Sequence, residues 1–419
     1  MRILVYGINY SPELVGIGKF TGEMSTWLVS QGHDIRVVTA PPYYPAWKIG
    51  VGYSAWKYRR ETDSQPIVYR CPVWIPGKQS GVRRVLHLLS FALSSLPVLL
   101  WKCITWRPDA VVVLAPALVC APGGWLGAKL AAAQAWLHVQ DLEVDAAFEL
   151  GLLSPGRASR FVFWLERLLL KRFDCVSSIS KRMLERLHQK GISYERLSLF
   201  PNWTDTDAIR PGVDSAFIRD EMGIPKNTVV AMYSGNMGEK QGLEIVIEAA
   251  KRLRTRSDIL FLMCGDGASR KTLEELSAGL TNVKFIPLQP LERLNAFLNM
   301  ANIHLLPQKS DAADLVMPSK LSGILACGGA VIATAVDGTE LARAVTDAGG
   351  ILCPPGNVDV IVEQIQILAD KPEVRAVMGQ RARDYAITNL QKSSILGKFE
   401  MALCRQSKAS QHVSPVWPH

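Results

Sequence analysis

Lys320 follows Pro318 and Ser319 at the start of a helical pattern, so a hydroxyl, an ammonium and bare amides meet at one positive helix end. That combination suits a diphosphate, although a capped helix alone would give the same pattern. A second cradle runs through Gly235, Asn236, Gly238, Lys240, Gln241 and Gly242, between a strand and a helix. Bare glycine amides and a cation there could hold phosphate. The segment lacks the Gly-Lys-Ser/Thr ending of a P-loop, which argues against a nucleotide hydrolase. Gly265-Asp266-Gly267 is a further strand-end turn, and the prolines around Leu288 hold an extended segment able to read a base edge through its backbone.

The first half of the chain carries two more such loops. Gly7 to Gly18 follows a strand, and Gly16 and Gly18 let a helix start approach a sugar or an anion. The loop is too long for a dinucleotide turn and is not Gly-x-Gly-x-x-Gly, which argues against NAD. His138, Asp141, Glu143 and Asp145 cluster at the end of another strand, where a base or an anchor for an acceptor hydroxyl could sit; solvated loop charges are the alternative. No Asp-x-Asp stands at a strand end, and Asp205-Thr206-Asp207 reads as polar linker. No metal or other cofactor is expected.

These loops need a scaffold that presents strand ends. The chain has 419 residues, 48% of them hydrophobic, enough for two or three cores at a prior of about 150 residues per domain. Val- and Ile-rich strands alternate with helical patterns: 3–6, 35–39, 67–70, 110–114, 135–139 and 175–179, then 229–234, 259–264, 283–286, 303–306, 330–334 and 351–353. Strands apolar on both faces and joined by helices predict an α/β fold with parallel sheets covered on both sides. The polar stretch from Pro201 to Ser215 marks the boundary. The expected domains are 1–203, 204–388, and a closing helix and tail, 389–419.

The order of the loops resembles glycosyltransferase family 4, nearest its exopolysaccharide branch with the colanic-acid fucosyltransferases. The residues that carry it are Tyr10-Ser-Pro-Glu13 with Gly16-Ile-Gly18, Ser234-Gly-Asn-Met-Gly-Glu-Lys-Gln-Gly-Leu243, Gly265-Asp-Gly267 and Leu315-Val-Met-Pro-Ser-Lys-Leu321. The resemblance implies a GT-B fold, two Rossmann-like doubly wound domains facing across a cleft. It implies donor binding by Gly235, Asn236, Lys240, Gln241, Gly265, Asp266, Leu288, Ser319, Lys320 and Leu321. Gly16, Gly18 and Glu143 would lie on the acceptor side, and His138 and Asp141 would be catalytic. The last helix would return to the first domain, and the anomeric configuration would be retained. Many relatives carry two glutamates eight positions apart where this chain has Leu315 and Gly323; Asp314 or Glu340 could replace one.

The net charge of +9 favours an anionic partner, and no zinc-finger spacing or RNA-binding aromatic signature points to nucleic acid. Eight cysteines without a Cys-x-x-Cys pair read as core residues of a reducing compartment. Met1-Arg2 leads into a strand too short for a secretory segment, so the expected location is the cytoplasm. Val85–Trp101 reads as a buried or interfacial helix rather than a membrane span. On the helix 157–172, Arg157, Arg160, Trp164, Arg167 and Lys171 form one stripe beside Phe161, Leu165, Leu168 and Leu169. With Arg83, Arg84, Leu88, Leu89, Phe91 and Trp101 as a second patch, this suits peripheral binding at the inner face of an anionic membrane. The expected partners are a nucleotide-sugar donor and a polyprenyl-diphosphate-linked or oligosaccharide acceptor. The competing readings are a nucleotide-sugar epimerase on the same fold and a non-catalytic nucleotide-sugar-binding subunit.

Overall fold

The computed structural model describes all residues except 14–15, 64, 78–80, 115–116, 143, 146–155, 311–317 and 412–419; the side chains of 117–118, 157–158, 240 and 406–411 are also left aside. The chain forms two compact units. One comprises Met1–Pro201 and Leu396 onward, the other Asn202–Ile395. The boundaries therefore fall at 201/202 and 395/396 rather than at 203/204 and 388/389. The second crossing lies inside the closing helix Lys392–Gln411, which begins in one unit and ends in the other.

The first unit is built on eight strands: β1 (Arg2–Tyr6), β2 (Asp34–Thr39), β3 (Arg59–Glu61), β4 (Ile67–Arg70), β5 (Ala110–Leu114), β6 (Gln134–Val139), β7 (Cys175–Ser178) and β8 (Leu197–Leu199). Their order is β3-β4-β2-β1-β5-β6-β7-β8. All pairs are parallel except β3 with β4, an edge pair. Val5 of β1 sits opposite Val37 and Val112, and every residue of β5 is buried. Each such Val or Ile side chain contributes about 1.5–3 kcal/mol when fully buried. The end of the closing helix docks here: Phe399 stacks on Phe200 at 4.2 Å and meets Trp136 edge-on at 5.1 Å. Glu400 Oε1 lies 2.9 Å from His33 Nε2.

The second unit holds β9 (Val229–Ser234), β10 (Ile259–Cys264), β11 (Val283–Ile286), β12 (Ile303–Leu306), β13 (Val331–Thr334) and β14 (Ile351–Cys353), all parallel, in the order β11-β10-β9-β12-β13-β14. Counted from its own first strand, that order is 3-2-1-4-5-6, the doubly wound dinucleotide-fold arrangement. Side chains cap its helices where the sequence places Asn and Thr: Asn357 accepts from the Val360 amide and Thr339 from the Ala342 amide. The two chain crossings are tied side by side, the Thr204 amide bonding the Leu390 carbonyl at 2.8 Å and the Lys392 amide the Thr204 carbonyl at 3.1 Å.

Candidate active site

In a doubly wound sheet the strand order reverses at one point, and ligands bind beyond the strand ends there. In the second unit that point lies between β9 and β12. The loop leaving β9 packs backbone to backbone on the loop leaving β10. The Gly235 amide bonds the Cys264 carbonyl at 2.9 Å, the Met237 amide bonds the Asp266 carbonyl at 2.8 Å, and the Ser269 amide bonds the Met237 carbonyl at 2.9 Å. Only glycine permits this contact. A Cβ on Gly265 would stand 1.9 Å from the Gly235 carbonyl oxygen, and φ at Gly265 is +145°. The third loop joins through the Gly265 amide to Ile286 O and the Cys264 thiol to Pro287 O, leaving Leu288 exposed at the rim.

Across the switch point stands the helix Ser319–Ala326, which follows β12. Its Lys320 reaches back to β9. Nζ donates to the Tyr233 hydroxyl at 2.8 Å and lies 4.4 Å from the centre of that ring. The Tyr233 hydroxyl donates in turn to the Asn236 carbonyl at 2.5 Å. The ammonium also closes on Gly235, where a Cβ would lie 2.9 Å from Nζ. Burial lowers Lys320 from its ordinary value to about 8, and no carboxylate among the described residues offsets that. A desolvated ammonium with no carboxylate partner among the described residues, beside Gly235 and in the first turn of a helix, is built to receive an anion. Arg270 adds a second cation, its Nη1 bonded to the Gly265 carbonyl at 2.6 Å.

The other expected donor residues divide. Ser319, Asn236 and Asp266 are exposed at this rim, and Glu340 lies half-buried at the start of the helix after β13, 3.7 Å from Arg343. Gln241 folds back on its own loop, its Oε1 accepting from the Gly238 amide at 3.1 Å. Leu321 is corrected: its side chain is fully buried in the core and its amide bonds Pro318 O, so it cannot face a phosphate. The Lys240 side chain and residues 314 and 315 lie outside the described residues.

The first unit reverses between β1 and β5; Gly16 and Gly18 lie not in the loop after β1 but in the first turn of the helix Gly16–Ser30 that follows it. Glu13 organises that loop from within. This carboxylate is 5% exposed; Oε1 accepts from the amides of Tyr43 and Tyr44 at 3.1 and 3.0 Å, and Oε2 accepts from Asn9 Nδ2 at 3.0 Å. Burial raises its pKa, opposed by the Tyr44 and Tyr43 amides. A Cβ on Gly18 would stand 2.3 Å from Oε2, which is why this position is glycine. Buried Arg70, at the end of β4, ties the same two loops from the other side, donating to Ser11 O at 2.6 Å and Ala40 O at 3.1 Å. Glu143 lies outside the described residues.

His138 is corrected as a catalytic residue. It is 2% exposed inside β6, its Nδ1 lies 2.9 Å from Ser177 Oγ, and its ring packs 4.8 Å from that of Phe200. Burial lowers its pKa to about 3, so it is neutral and sealed from any acceptor. Asp141, two residues past the strand end, is exposed. Tyr233, Arg270 and Arg70 escaped the sequence reading. Tyr233 is the one polar-tipped ring in an otherwise apolar strand, which is the signal it offers; the two arginines offer none.

Residues 15–203 match the family model "Glycosyl transferase 4-like domain" and residues 214–385 match "Glycosyl transferases group 1". The glycosyl transferase WcaI of Escherichia coli K12, assigned to colanic acid biosynthesis, is 44% identical over 95% of this chain and 98% of its own. The chain belongs to this glycosyltransferase family. Its fold is GT-B: sucrose-phosphate synthase from Thermosynechococcus elongatus superposes with a TM-score of 0.74 at 16% identity, over 98% of this chain and 99% of that one. HepE of Anabaena, solved with UDP and glucose, gives 0.66 at 15% identity over 97% and 100%. The loop cluster around Lys320 lies within the stretch of this glycosyltransferase matched by the group 1 model.

Proposed function

We propose that this glycosyltransferase moves a sugar, in the leading reading fucose from GDP-fucose, onto a polyprenyl-diphosphate-linked or oligosaccharide acceptor in assembly of a colanic-acid-like exopolysaccharide. The relative at 44% identity supports the pathway. One observation carries the donor chemistry: the desolvated Lys320 ammonium at the switch point, with no carboxylate partner among the described residues. As the bond between sugar and phosphate breaks, the leaving diphosphate gains charge, and Lys320 with the helix-start amides meets it. The second unit holds the donor and the helix start at Gly16 and Gly18 the acceptor. The anomeric configuration is retained and no metal ion is required. The enzyme works in the cytoplasm at the inner face of an anionic membrane. The exposed Arg160, Trp164, Arg167 and Lys171 of the helix after β6 support that location.

The test is to incubate the protein with radiolabelled GDP-fucose, or UDP- and dTDP-sugars, and lipid extracted from a producing strain. Label is expected in the lipid fraction, in step with nucleoside diphosphate release and unaffected by EDTA. Conversion of donor without acceptor would instead reveal an epimerase. Donor binding without any release would reveal a non-catalytic subunit.

A further inference from the structure

The helix Gly81–Trp106 is apolar on its outer side. Its 26 residues span about 39 Å at 1.5 Å per residue. Of the two expectations for this segment, buried or interfacial, the exposed outer side rules out the first, and Phe91 is corrected as part of a surface patch. The face turned inward carries His87, Phe91, Ser95 and Leu99, and Phe91 is fully buried. The face turned outward carries Val85, Leu86, Leu89, Leu93, Trp101 and Ile104, with Leu93 69% and Trp101 62% exposed. A water-soluble surface helix keeps its outward face polar. The inner face here is itself mostly apolar, with Phe91, Leu99, Cys103 and Trp106 buried, and hydrogen bonds add to its anchoring: Ser95 Oγ with the Tyr6 hydroxyl at 2.9 Å, Ser90 Oγ with the Trp74 amide at 2.9 Å, and His87 Nδ1 with the Trp74 carbonyl at 2.7 Å. The helix is therefore apolar on both sides and presents hydrocarbon outward as well as inward.

A second helix extends this surface. Arg157–Leu170 and Gly81–Trp106 both pack on Ala117–Ala131. Its exposed residues are Arg160, Phe161, Trp164, Arg167 and Leu168, continued by Lys171. The helix is pinned in this roll by Glu166, which points inward and bonds Lys190 Nζ at 2.5 Å. The long helix contains no acid and carries Arg83, Arg84 and Lys102. Two such cationic faces repel each other, whereas an anionic lipid surface attracts both.

We propose that Gly81–Trp106 lies in the plane of the bilayer with its apolar stripe among the acyl chains, while Arg160, Arg167 and Lys171 rest on anionic headgroups. This rests on the membrane reading above and deepens it, from electrostatic contact to insertion. It also fixes the acceptor class. The His87 ring on the inner face packs against Tyr43 at 4.9 Å and Trp47 at 5.4 Å. The Tyr43 amide is held by Glu13, so the inserted helix carries the acceptor loops on its back. The acceptor is then a saccharide on a lipid whose head emerges at the bilayer surface.

Seven of the eight native cysteines are buried, so an exposed cysteine can be labelled selectively. Leu93→Cys carrying nitrobenzoxadiazole is mixed with vesicles of phosphatidylcholine and phosphatidylglycerol. Insertion shifts the emission to the blue, and the shift survives high salt. Arg160→Glu with Arg167→Glu and Lys171→Glu lowers the amount bound but leaves the shift of the bound protein unchanged. Leu89→Asp with Leu93→Asp, both at exposed positions, weakens binding at least about tenfold while circular dichroism stays unchanged. Vesicle binding with a water-like label, released by salt, would overturn insertion and leave surface attachment standing. No binding at all would overturn both. A blue shift without lipid, accompanied by a doubled mass in light scattering, would make the face a contact between two copies and overturn the proposal.

Discussion

Lys320 Nζ lies 2.8 Å from the hydroxyl of Tyr233, so one residue on the helix after β12 is held by one at the end of β9, across the point where the sheet reverses. The pair places an ammonium beside Gly235, with no balancing carboxylate among the described residues.

Nucleotide binding should therefore titrate with Lys320. Its ammonium persists below about 8 and is lost above. A nucleoside diphosphate prefers the ammonium, so its affinity should fall as pH rises past about 8, by up to about tenfold per pH unit. For the unliganded fold the sign is opposite. The lowered pKa makes the buried ammonium a cost, relieved as pH climbs from about 8 towards the ordinary 10.5. Calorimetric titrations of GDP across this range should show the step in the wild type and none in Lys320→Arg, whose guanidinium does not titrate.

Tyr233→Phe keeps the ring but removes the acceptor that holds Lys320. The lost hydrogen bond is worth about 0.5–1.5 kcal/mol. Nucleotide affinity should drop roughly two- to tenfold, and the melting temperature without ligand should also fall, because the bonds to Lys320 and to the Asn236 carbonyl are both lost. A loss of stability with unchanged affinity would assign Tyr233 to the core alone.

Glu13 should matter to the acceptor and not to the donor. Glu13→Gln turns an amide towards Asn9 Nδ2, and Asn9→Asp in the same chain restores a donor–acceptor pair. The single variant should raise the KM for lipid acceptor with donor affinity unchanged, and the double variant should recover it. Gly18→Ala should fail in the same way, because its methyl collides with the Glu13 carboxylate.

His138→Gln should leave the pH profile of turnover unchanged, since the imidazole is sealed in the sheet. Its effect belongs to stability. The folded pKa is about 3 against an ordinary 6.5, so the unfolded chain binds the proton first and stability falls as pH drops through that window. Removing the imidazole should lessen this acid loss in urea unfolding at pH 4 relative to pH 7. His304, at about 4, retains part of it.

Much of the fold was written in the strands. Three segments, 110–114, 229–234 and 259–264, stand where largely apolar runs place them, because strands buried on both faces have no polar alternation to blur their ends. The edge strand β3, Arg59–Glu61, was illegible, since three consecutive charged residues carry no apolar strand pattern. The donor loops were legible as glycines at strand ends. Their chemistry was less so. Tyr233 and Lys320 are 87 residues apart and meet only once the sheet is wound. His138 misled although its strand, 135–139, was legible: next to Asp141 at a strand end it reads as chemistry, while its side chain turns into the core. The long helix was legible as buried or interfacial but not as one or the other, because apolar residues run around it: Phe91, Leu99, Cys103 and Trp106 are buried, while Leu89, Leu93, Trp101 and Ile104 are exposed.

The central claim is that the loops around Lys320 hold the diphosphate of a nucleotide sugar. Calorimetric titration of GDP, UDP and dTDP into the wild type and Lys320→Met tests it most directly. One nucleotide should bind the wild type and bind the variant at least about tenfold more weakly, as loss of a charged hydrogen bond of about 1.5–3 kcal/mol requires. Equal affinity of both proteins for that nucleotide would place the diphosphate elsewhere and contradict the account.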